Sequence, residues 1–222
     1  MSYDWDFGAV FRHSDLLWQG MVGTLQMTAV SLVMAVPFGL VLALLRLTSN
    51  RLISGLARFY IDFFRSSSQF VLIYWFFYAF PVLVNLNLDA LAAGSLAIAA
   101  HFSAIFAEVF RAGIVSVQAG QWEAGKAVGL SRTTIFSNVI LPQAFRRVLP
   151  VLFTHAIDLF KATSFVSAVS FTELSFSAAQ IASETYRPIE TYLVVGAIYF
   201  VAVFLASQSV RQLERRLARA DR

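Results

Sequence analysis

Four long stretches of this chain contain no charged residue, and they constrain its fold more than any other feature. They are Leu16–Leu45, Ser66–Leu88, Ala90–Ala107 and Thr191–Val210. A helix needs about 20 largely apolar residues to cross the hydrocarbon of a bilayer. Of the 222 residues, 58% are hydrophobic and 14% are charged, whereas a soluble domain carries about 25% charged residues. The sequence therefore predicts an all-α integral membrane protein and excludes a soluble domain.

A further crossing is expected between residues 139 and 161, although Asp158 and Lys161 interrupt its apolar run. With it, the chain is predicted to form a single transmembrane domain, residues 1–222, with five membrane-spanning helices. We expect these helices at about 20–47, 54–84, 90–117, 139–161 and 189–212. The arginines of segment 51–65 recur at helical intervals. This spacing fits either the beginning of the second span or a separate amphipathic helix on the membrane surface.

Basic residues predict how the chain is oriented in the membrane. Of the 17 lysines and arginines, 14 lie after the first span, around segment 121–138 or at the C-terminus. They are Arg46, Arg51, Arg58, Arg65, Arg111, Lys126, Arg132, Arg146, Arg147, Arg211, Arg215, Arg216, Arg219 and Arg222. Because basic loops stay in the cytoplasm, the C-terminus is predicted to be cytoplasmic and the N-terminus periplasmic. The net charge of +4 then reflects membrane orientation, and no nucleic-acid partner is expected.

Residue patterns that support catalysis are absent from the sequence. The chain has no cysteine, and its three histidines are scattered without the spacing of metal ligands. The glycine-rich loop of nucleotide-binding proteins and the GxSxG and HExxH motifs of hydrolases do not occur. An intramembrane enzyme would have to use His101, Glu108 and Asp158 as acids and bases. We predict instead that the chain is not an enzyme, has no catalytic residue and binds no metal or cofactor itself.

The segment from Gln121 to Pro142 is polar and charged within an otherwise apolar chain. Ionised side chains this close together are costly in hydrocarbon, so the segment is expected to lie outside it. Its pattern predicts a short helix over Gln121–Val128, a stop at Gly129 and a second helix that begins at Ser131. The small residues on one face of the first helix would let a partner approach its backbone closely.

This segment resembles the EAA loop of ABC-transporter permeases, in which Glu-Ala-Ala is followed by a glycine and later by Ile-x-Leu-Pro. Glu123-Ala124, Gly129 and Ile140-Leu141-Pro142 match, while Gly125 replaces the third residue of Glu-Ala-Ala. Further segments are similar to motifs of the histidine/glutamate/aspartate-type permeases of bacterial ABC importers. These segments are Phe64–Ser68, Ala107–Ile114 and Leu159–Ser164. The resemblance implies a type I ABC-importer permease fold with a cytoplasmic coupling helix in the loop 121–138.

The resemblance also implies partners and a location. Such a subunit works in the bacterial inner (plasma) membrane, in lipid, with two ABC ATPase subunits that bind the ATP and magnesium. It pairs with a second permease subunit, identical or homologous, and receives cargo from a periplasmic amino-acid-binding protein. The acidic and aromatic beginning of the chain favours glutamate or aspartate as cargo. Another polar amino acid, such as glutamine, histidine or an opine-like compound, is the alternative.

By the same resemblance, two sets of residues are candidates for function. The set expected to couple to the ATPase comprises Gln121, Glu123, Ala124, Gly125, Ala127, Gly129 and Leu130. The set expected along the substrate path comprises Ser66, Ser67, Ser68, Glu108, Asp158, Lys161, Thr163 and Ser164.

Several candidates in the second set have two interpretations. Lys161 can form a structural pair with Asp158, three residues earlier, or meet a carboxylate of the cargo. Glu108 can pair with Arg111 or line a cavity. The hydroxyls after Lys161 can face the cargo or bond to carbonyls of their own helix.

Two departures from the family pattern affect these expectations. Ser66–Ser68 lacks the usual glycine and proline, which puts the kink of the second span in doubt. Ala162 stands where relatives often carry an aspartate, which disfavours a pocket specific for cationic cargo.

Overall fold

The computed structural model describes residues 3–117 and 119–220, with side chains for all of them except residues 119 and 216–220. Three of the basic residues that predicted the orientation are affected. Arg222 lies outside the described residues, as do the side chains of Arg216 and Arg219. The described residues are built from helices. These are α1 (Phe7–Phe11), α2 (Ser14–Arg46), α3 (Arg51–Ser66), α4 (Gln69–Tyr74, a π-helical turn at Trp75–Ala79, and Phe80–Val84), α5 (Ala90–Val115), α6 (Ala119–Ala127), α7 (Arg132–Ile135, a π-helical turn at Phe136–Ile140, and Leu141–Ala162), a 3-10 segment (Thr163–Val169), α8 (Leu174–Thr185) and α9 (Pro188–Ala220).

Four stretches of helix are long and apolar enough to cross a membrane. They are Ser14–Arg46, Ala90–Val115, Arg132–Val169 and Pro188–Arg215. Helices α3 and α4 supply a fifth crossing if this sharply bent pair is one broken span. The prediction of an all-helical membrane protein is therefore confirmed, with four or five crossings among the described residues.

The second predicted span, 54–84, is broken rather than continuous. Helix α3 ends at Ser66, and α4 begins at Gln69. Ser68 caps α4 in an extended conformation (φ −67°, ψ 127°), and its carbonyl accepts a hydrogen bond from Leu72 N at 3.0 Å. Any residue can adopt that backbone conformation, and the Ser68 side chain makes no capping hydrogen bond. The absence of glycine and proline therefore did not prevent the break that the sequence had put in doubt.

The fourth span begins earlier than the sequence indicated. We predicted 139–161, yet helix α7 already begins at Arg132, and the 3-10 segment extends the same run to Val169. The short helix predicted to begin at Ser131 within the coupling loop 121–138 therefore runs without a break into the helix of the fourth span. Ser131 caps this helix, because its hydroxyl accepts a hydrogen bond from Thr134 N at 3.1 Å. The predicted helix start at Ser131 is confirmed.

The chain divides into two compact units, which are described separately. The first unit comprises the residues up to Met34, Ser67–Ala99 and Ile157–Ser207. Its core is formed by apolar side chains of α1, α2, α8 and α9. They are Val10, Leu17, Leu174, Ala178, Ile181 and Val195, with Leu16, Met21, Val194, Ile198 and Tyr199 packed against them.

Helix α8 is an element that the sequence did not indicate as a separate helix. Its residues are rich in hydroxyls and small side chains, yet its inner face, which includes Leu174 and Ile181, is fully buried. Glu173 caps α8, accepting hydrogen bonds from Ser175 N at 2.9 Å and Phe176 N at 2.7 Å. A buried glutamate is an unusual cap, which is why no start signal was recognised there.

The second unit comprises Ala35–Ser66, Ala100–Ala156 and the residues from Gln208 onward. One core cluster consists of Leu42, Ile61, Ala104 and Ala107. The Tyr60 hydroxyl donates to the carbonyl of Ala100 at 3.2 Å and lies 3.1 Å from Ser103 Oγ. A second cluster consists of Ile114, Val117, Ile135, Ile140 and Ala144. This second cluster fixes the segment that resembles the EAA loop.

Gly23 allows helix α2 to approach the turn before α8. A Cβ atom on Gly23 would lie 1.9 Å from the carbonyl oxygen of Thr172, which is a backbone atom. The neighbouring Thr24 accepts a hydrogen bond from Leu174 N at 3.1 Å, and that contact is buried. A side chain at position 23 would therefore separate two segments that a buried hydrogen bond joins.

We expect Gly23→Ala to destabilise the protein by about 3 kcal/mol, because backbone atoms cannot move aside as a side chain can. Gly196→Ala is the matched control, since it lies in a helix of the same unit and a Cβ there meets nothing within 4 Å. Thermal unfolding of the purified chain in detergent measures both variants. Equal midpoints for Gly23→Ala and Gly196→Ala would show that the close approach is unimportant.

Candidate coupling loop and substrate path

The helix of the EAA-like segment ends in a Schellman motif. Helix α6 ends at Ala127, and Gly129 has a positive φ of 78°. Leu130 N donates to the carbonyl of Gly125 at 3.0 Å, and Gly129 N donates to the carbonyl of Lys126 at 3.0 Å. This pair of bonds satisfies carbonyls that the helix end leaves open, and glycine adopts the required conformation most easily. The predicted stop at Gly129 is therefore confirmed, and the helix begins at Ala119, two residues before the predicted start.

Gly125 is the buried member of the proposed coupling set. A Cβ atom on Gly125 would lie 2.7 Å from Cγ1 of Ile135, and Ile135 itself is fully buried. The position at which this chain departs from Glu-Ala-Ala thus faces inward. The remaining members are exposed, and they are Gln121, Glu123, Ala124, Ala127, Gly129 and Leu130. Helix α6 therefore packs through its glycine and leaves the rest of the set exposed.

The loop is fixed by aromatic and aliphatic contacts within its own unit. The rings of Trp122 and Phe136 are stacked, with centroids 6.5 Å apart and planes 25° apart. Both pack against the cluster that contains Ile135. These contacts pack the inner face of α6 tightly against the beginning of α7.

Glu108 takes part in an ion cluster and also lines a cavity. Its Oε1 accepts hydrogen bonds from Arg111 Nη2 at 2.5 Å and Nε at 3.1 Å, and its Oε2 contacts Arg46 Nη1. The same glutamate lines a cavity of about 630 Å³ together with Arg65, Arg147 and His155. The two interpretations of Glu108 are therefore compatible. Two arginines hold the carboxylate, so it is not available as the free acid or base that an enzyme would need.

Lys161 forms the predicted pair with Asp158 and also lies at the wall of a cavity, while its contact with cargo stays a prediction. Its Nζ lies 2.8 Å from Asp158 Oδ1, and both side chains are about half exposed. Lys161 also lines a cavity of about 560 Å³, together with Ser164, Ser175 and Tyr199. The cavity therefore borders an ion pair in which the ammonium group of Lys161 already has a carboxylate partner.

The hydroxyls after Lys161 bond to their own helix. Thr163 Oγ1 donates to the carbonyl of Phe160 at 2.8 Å, and Ser164 Oγ donates to the carbonyl of Lys161 at 2.8 Å. Thr163 is fully buried, whereas Ser164 lines the same cavity as Lys161. At the break between α3 and α4, Ser66 and Ser68 are exposed and Ser67 is half-buried.

Glu173 is a buried acid beside this cavity that sequence reasoning did not identify. In addition to capping α8, its Oε2 accepts a hydrogen bond from the Tyr199 hydroxyl at 3.1 Å. Burial raises the pKa of the Glu173 carboxyl despite the hydrogen bonds that it accepts. Tyr199 lines the cavity together with Lys161. Glu173 thus positions Tyr199 at the wall of the cavity. Among the described residues, no group of histidines and acids could hold a metal ion.

The family model of the binding-protein-dependent transport system inner membrane component matches residues 35–219. Glutamate/aspartate import permease protein GltK of Escherichia coli O6:H1 is 32% identical over 97% of this chain and 100% of its own length. Octopine transport system permease protein OccM of Rhizobium meliloti is 34% identical over 88% of this chain and 83% of its own. Arginine transport system permease protein ArtQ of Bacillus subtilis is 27% identical over 97% and 99% of the two chains.

Solved structures agree with these relatives. A chain from the crystal structure of an amino acid ABC transporter with histidines superimposes with a TM-score of 0.90, at 33% identity, over 96% of this chain and 100% of its own. A chain of the inward-facing MetNI methionine ABC transporter gives a TM-score of 0.72 at 19% identity, over 90% and 94% of the two chains, and shares the fold. This chain therefore belongs to the family of binding-protein-dependent transport system inner membrane components, and it is a transport subunit rather than an enzyme.

Proposed function

We propose that this chain is the membrane permease of an ATP-driven importer of a polar amino acid. The observation that carries the proposal is helix α6, which packs inward through Gly125 and leaves Glu123 and Ala124 exposed. The relatives are described as permeases for glutamate/aspartate, octopine and arginine. These compounds share an α-amino-acid group. Glutamate or aspartate is the cargo that we favour, with glutamine, histidine or an opine-like compound as the alternative.

In this proposal, α6 docks on an ABC ATPase. Two ATPase subunits bind ATP and magnesium, and a second permease, identical or homologous, completes the path. The exposed small residues Ala124 and Ala127 let the ATPase approach the helix backbone closely. ATP switches the permease between outward and inward access because it binds more tightly to one of these two conformations. A ligand with equal affinity for both would not shift the balance between them. The fixed base of α6, formed by Ile135 and its neighbours, transmits the movement.

The proposed substrate path includes Lys161 and Ser164 at the wall of the 560 Å³ cavity. In the empty state Asp158 neutralises the ammonium group of Lys161. An arriving amino acid brings an α-carboxylate that can replace Asp158, so the charge of Lys161 stays compensated throughout. Glu108 and the serines at the break between α3 and α4 are proposed to line other parts of the path.

Gly129→Asp tests the docking of α6. Aspartate is less at ease than glycine in the left-handed conformation, and it adds a negative charge at the exposed end of α6, so this variant should weaken association with the ATPase and abolish uptake while still inserting in the membrane. Gly120→Ala is the control, because Gly120 lies inside α6, away from its end at Ala127, and a Cβ there meets nothing within 4 Å. Co-purification with the ATPase and uptake of labelled amino acid are measured together. Normal uptake by Gly129→Asp would refute the docking assignment.

The proposed orientation places the N-terminus in the periplasm and α6 in the cytoplasm. Because the chain has no cysteine, single cysteines report accessibility without background. In cells with a permeabilised outer membrane, Glu184→Cys should react with a maleimide that cannot cross the inner membrane. Val128→Cys, at a side chain that is 73% exposed, should react after the inner membrane is opened. The reverse pattern would invert the proposed topology.

Lys161→Met tests the substrate path. Removing the cation should reduce uptake and cargo-stimulated ATP hydrolysis at least about tenfold, because the carboxylate of the cargo loses its partner. Asp158→Asn removes the competitor and should leave assembly intact. The contrary outcome is that both single variants fail to assemble and the double variant restores assembly. The pair would then be structural.

A further inference from the structure

Tyr186 adopts a backbone conformation that disfavours a bulky residue. It follows the end of helix α8 with φ 55° and ψ 28°, in the left-handed region. The other residues besides glycine that have positive φ in the described part of the chain are Asn85 and Ser170. Both have short polar side chains, and asparagine in particular tolerates this region, whereas a large residue there costs about 1 kcal/mol or more. A tyrosine at position 186 is therefore not explained by its backbone.

Packing within the chain does not explain this tyrosine either. Its side chain is 87% exposed, the largest exposure among the large apolar or aromatic residues of the described part. A ring that is open to its surroundings contributes little burial energy to the fold. Strain that a fold retains without internal benefit points to a function outside the chain. Tyrosine is also among the residues that most often dominate the energy of protein interfaces.

The residues next to Tyr186 hold the beginning of the chain in place. Arg187 Nη1 donates to the carbonyl of Asp4 at 2.5 Å. Glu190, whose side chain is fully buried, accepts hydrogen bonds from the Tyr3 hydroxyl at 2.7 Å and from Asp6 N at 3.2 Å. We call these five residues the N-terminal clasp. It brings Trp5, which is 53% exposed, to the same end of the first unit as Tyr186.

The aromatic rings of this surface are already ordered. Trp5 stacks on Phe7, with centroids 5.6 Å apart and planes 1° apart, and Tyr3 meets Trp5 edge-on at 4.9 Å. Because these rings are fixed before a partner arrives, little conformational entropy would be lost on binding. The clasp together with Trp5 and Phe7 therefore forms a preorganised aromatic surface at the same end of the unit as Tyr186.

The charge around this surface indicates what kind of partner it fits. Apart from the buried Glu190, residues 3–19 and 184–190 contain four carboxylates and two arginines. Such an excess of negative charge repels the anionic headgroups of a membrane. It complements a basic patch on a soluble protein and would steer that protein towards the surface. The family is defined by dependence on a binding protein, which supplies a soluble partner.

We propose that Tyr186, supported by the N-terminal clasp, is an anchor on which the soluble substrate-binding protein docks through a basic patch. The inference rests on the periplasmic placement of this surface in the proposed function. The ring inserts between side chains of the binding protein, and Trp5 and the exposed carboxylates at the same end of the unit add to the contact. The strained turn raises Tyr186 above the end of α8, where a partner can reach it.

Tyr186→Gly distinguishes a docking role of Tyr186 from a structural role. A docking role predicts unchanged or higher stability with weaker stimulation by the binding protein, whereas a structural role predicts lower stability. Glycine relieves the backbone, so the thermal midpoint of the complex should equal or exceed that of the parent. The concentration of binding protein that half-stimulates ATP hydrolysis in proteoliposomes should rise at least about tenfold. Asn85→Gly relieves the same conformation at the end of α4 and should change that concentration less than about twofold. The probe is the binding protein encoded with this permease, purified with the amino acid that it retains.

A footprint identifies the occupant. Tyr186→Cys should react with a membrane-impermeant maleimide from the periplasmic side, and added binding protein should slow the reaction at least about fivefold. Failure to react while Glu184→Cys reacts would place the side chain in lipid and overturn the proposal. A reaction that the binding protein leaves unchanged would overturn it as well. If both cysteines react from the cytoplasmic side instead, the proposed topology is wrong. That result is distinct from a failure of the docking proposal.

Discussion

The cost of an ionised side chain in hydrocarbon is the constraint on which this structure depends. Each charge in a spanning helix must be paired or must face a cavity, and the chain combines both solutions. Glu108 is held by Arg46 and Arg111, and Lys161 pairs with Asp158. The glutamate and the lysine also line cavities. The same cost predicts that the charged EAA-like segment lies outside the hydrocarbon.

Features that depend on local chemistry could be predicted from the sequence. The apolar runs predicted the helical membrane fold, Gly129 predicted the end of α6, and Ser131 predicted the start of α7. Each follows from a preference of one residue or one run for a particular environment. The pairing of Lys161 with Asp158 could also be predicted, because a spacing of three residues places two side chains on the same face of a helix.

Features that depend on tertiary contacts could not be predicted. The inward packing of Gly125 is set by Ile135, ten residues later in the chain. Helix α8 is stabilised by burial against α1, α2 and α9, while its own hydroxyl-rich sequence gave no strong signal. The break at Ser68 uses a conformation open to every residue, so no glycine or proline was needed to mark it. In each case a partner distant in sequence, or an unrestricted backbone, decided the outcome.

The central claim is that this chain forms the path of an ATP-driven importer of a polar amino acid. The most direct test reconstitutes it in proteoliposomes with its ATPase, any second permease and its loaded binding protein, and follows labelled amino acids over time. The account predicts that glutamate, aspartate or another polar amino acid accumulates against its own concentration gradient when ATP is supplied on the ATPase side. Accumulation that is equal without ATP, or no accumulation of any labelled amino acid by an assembled complex, would contradict it.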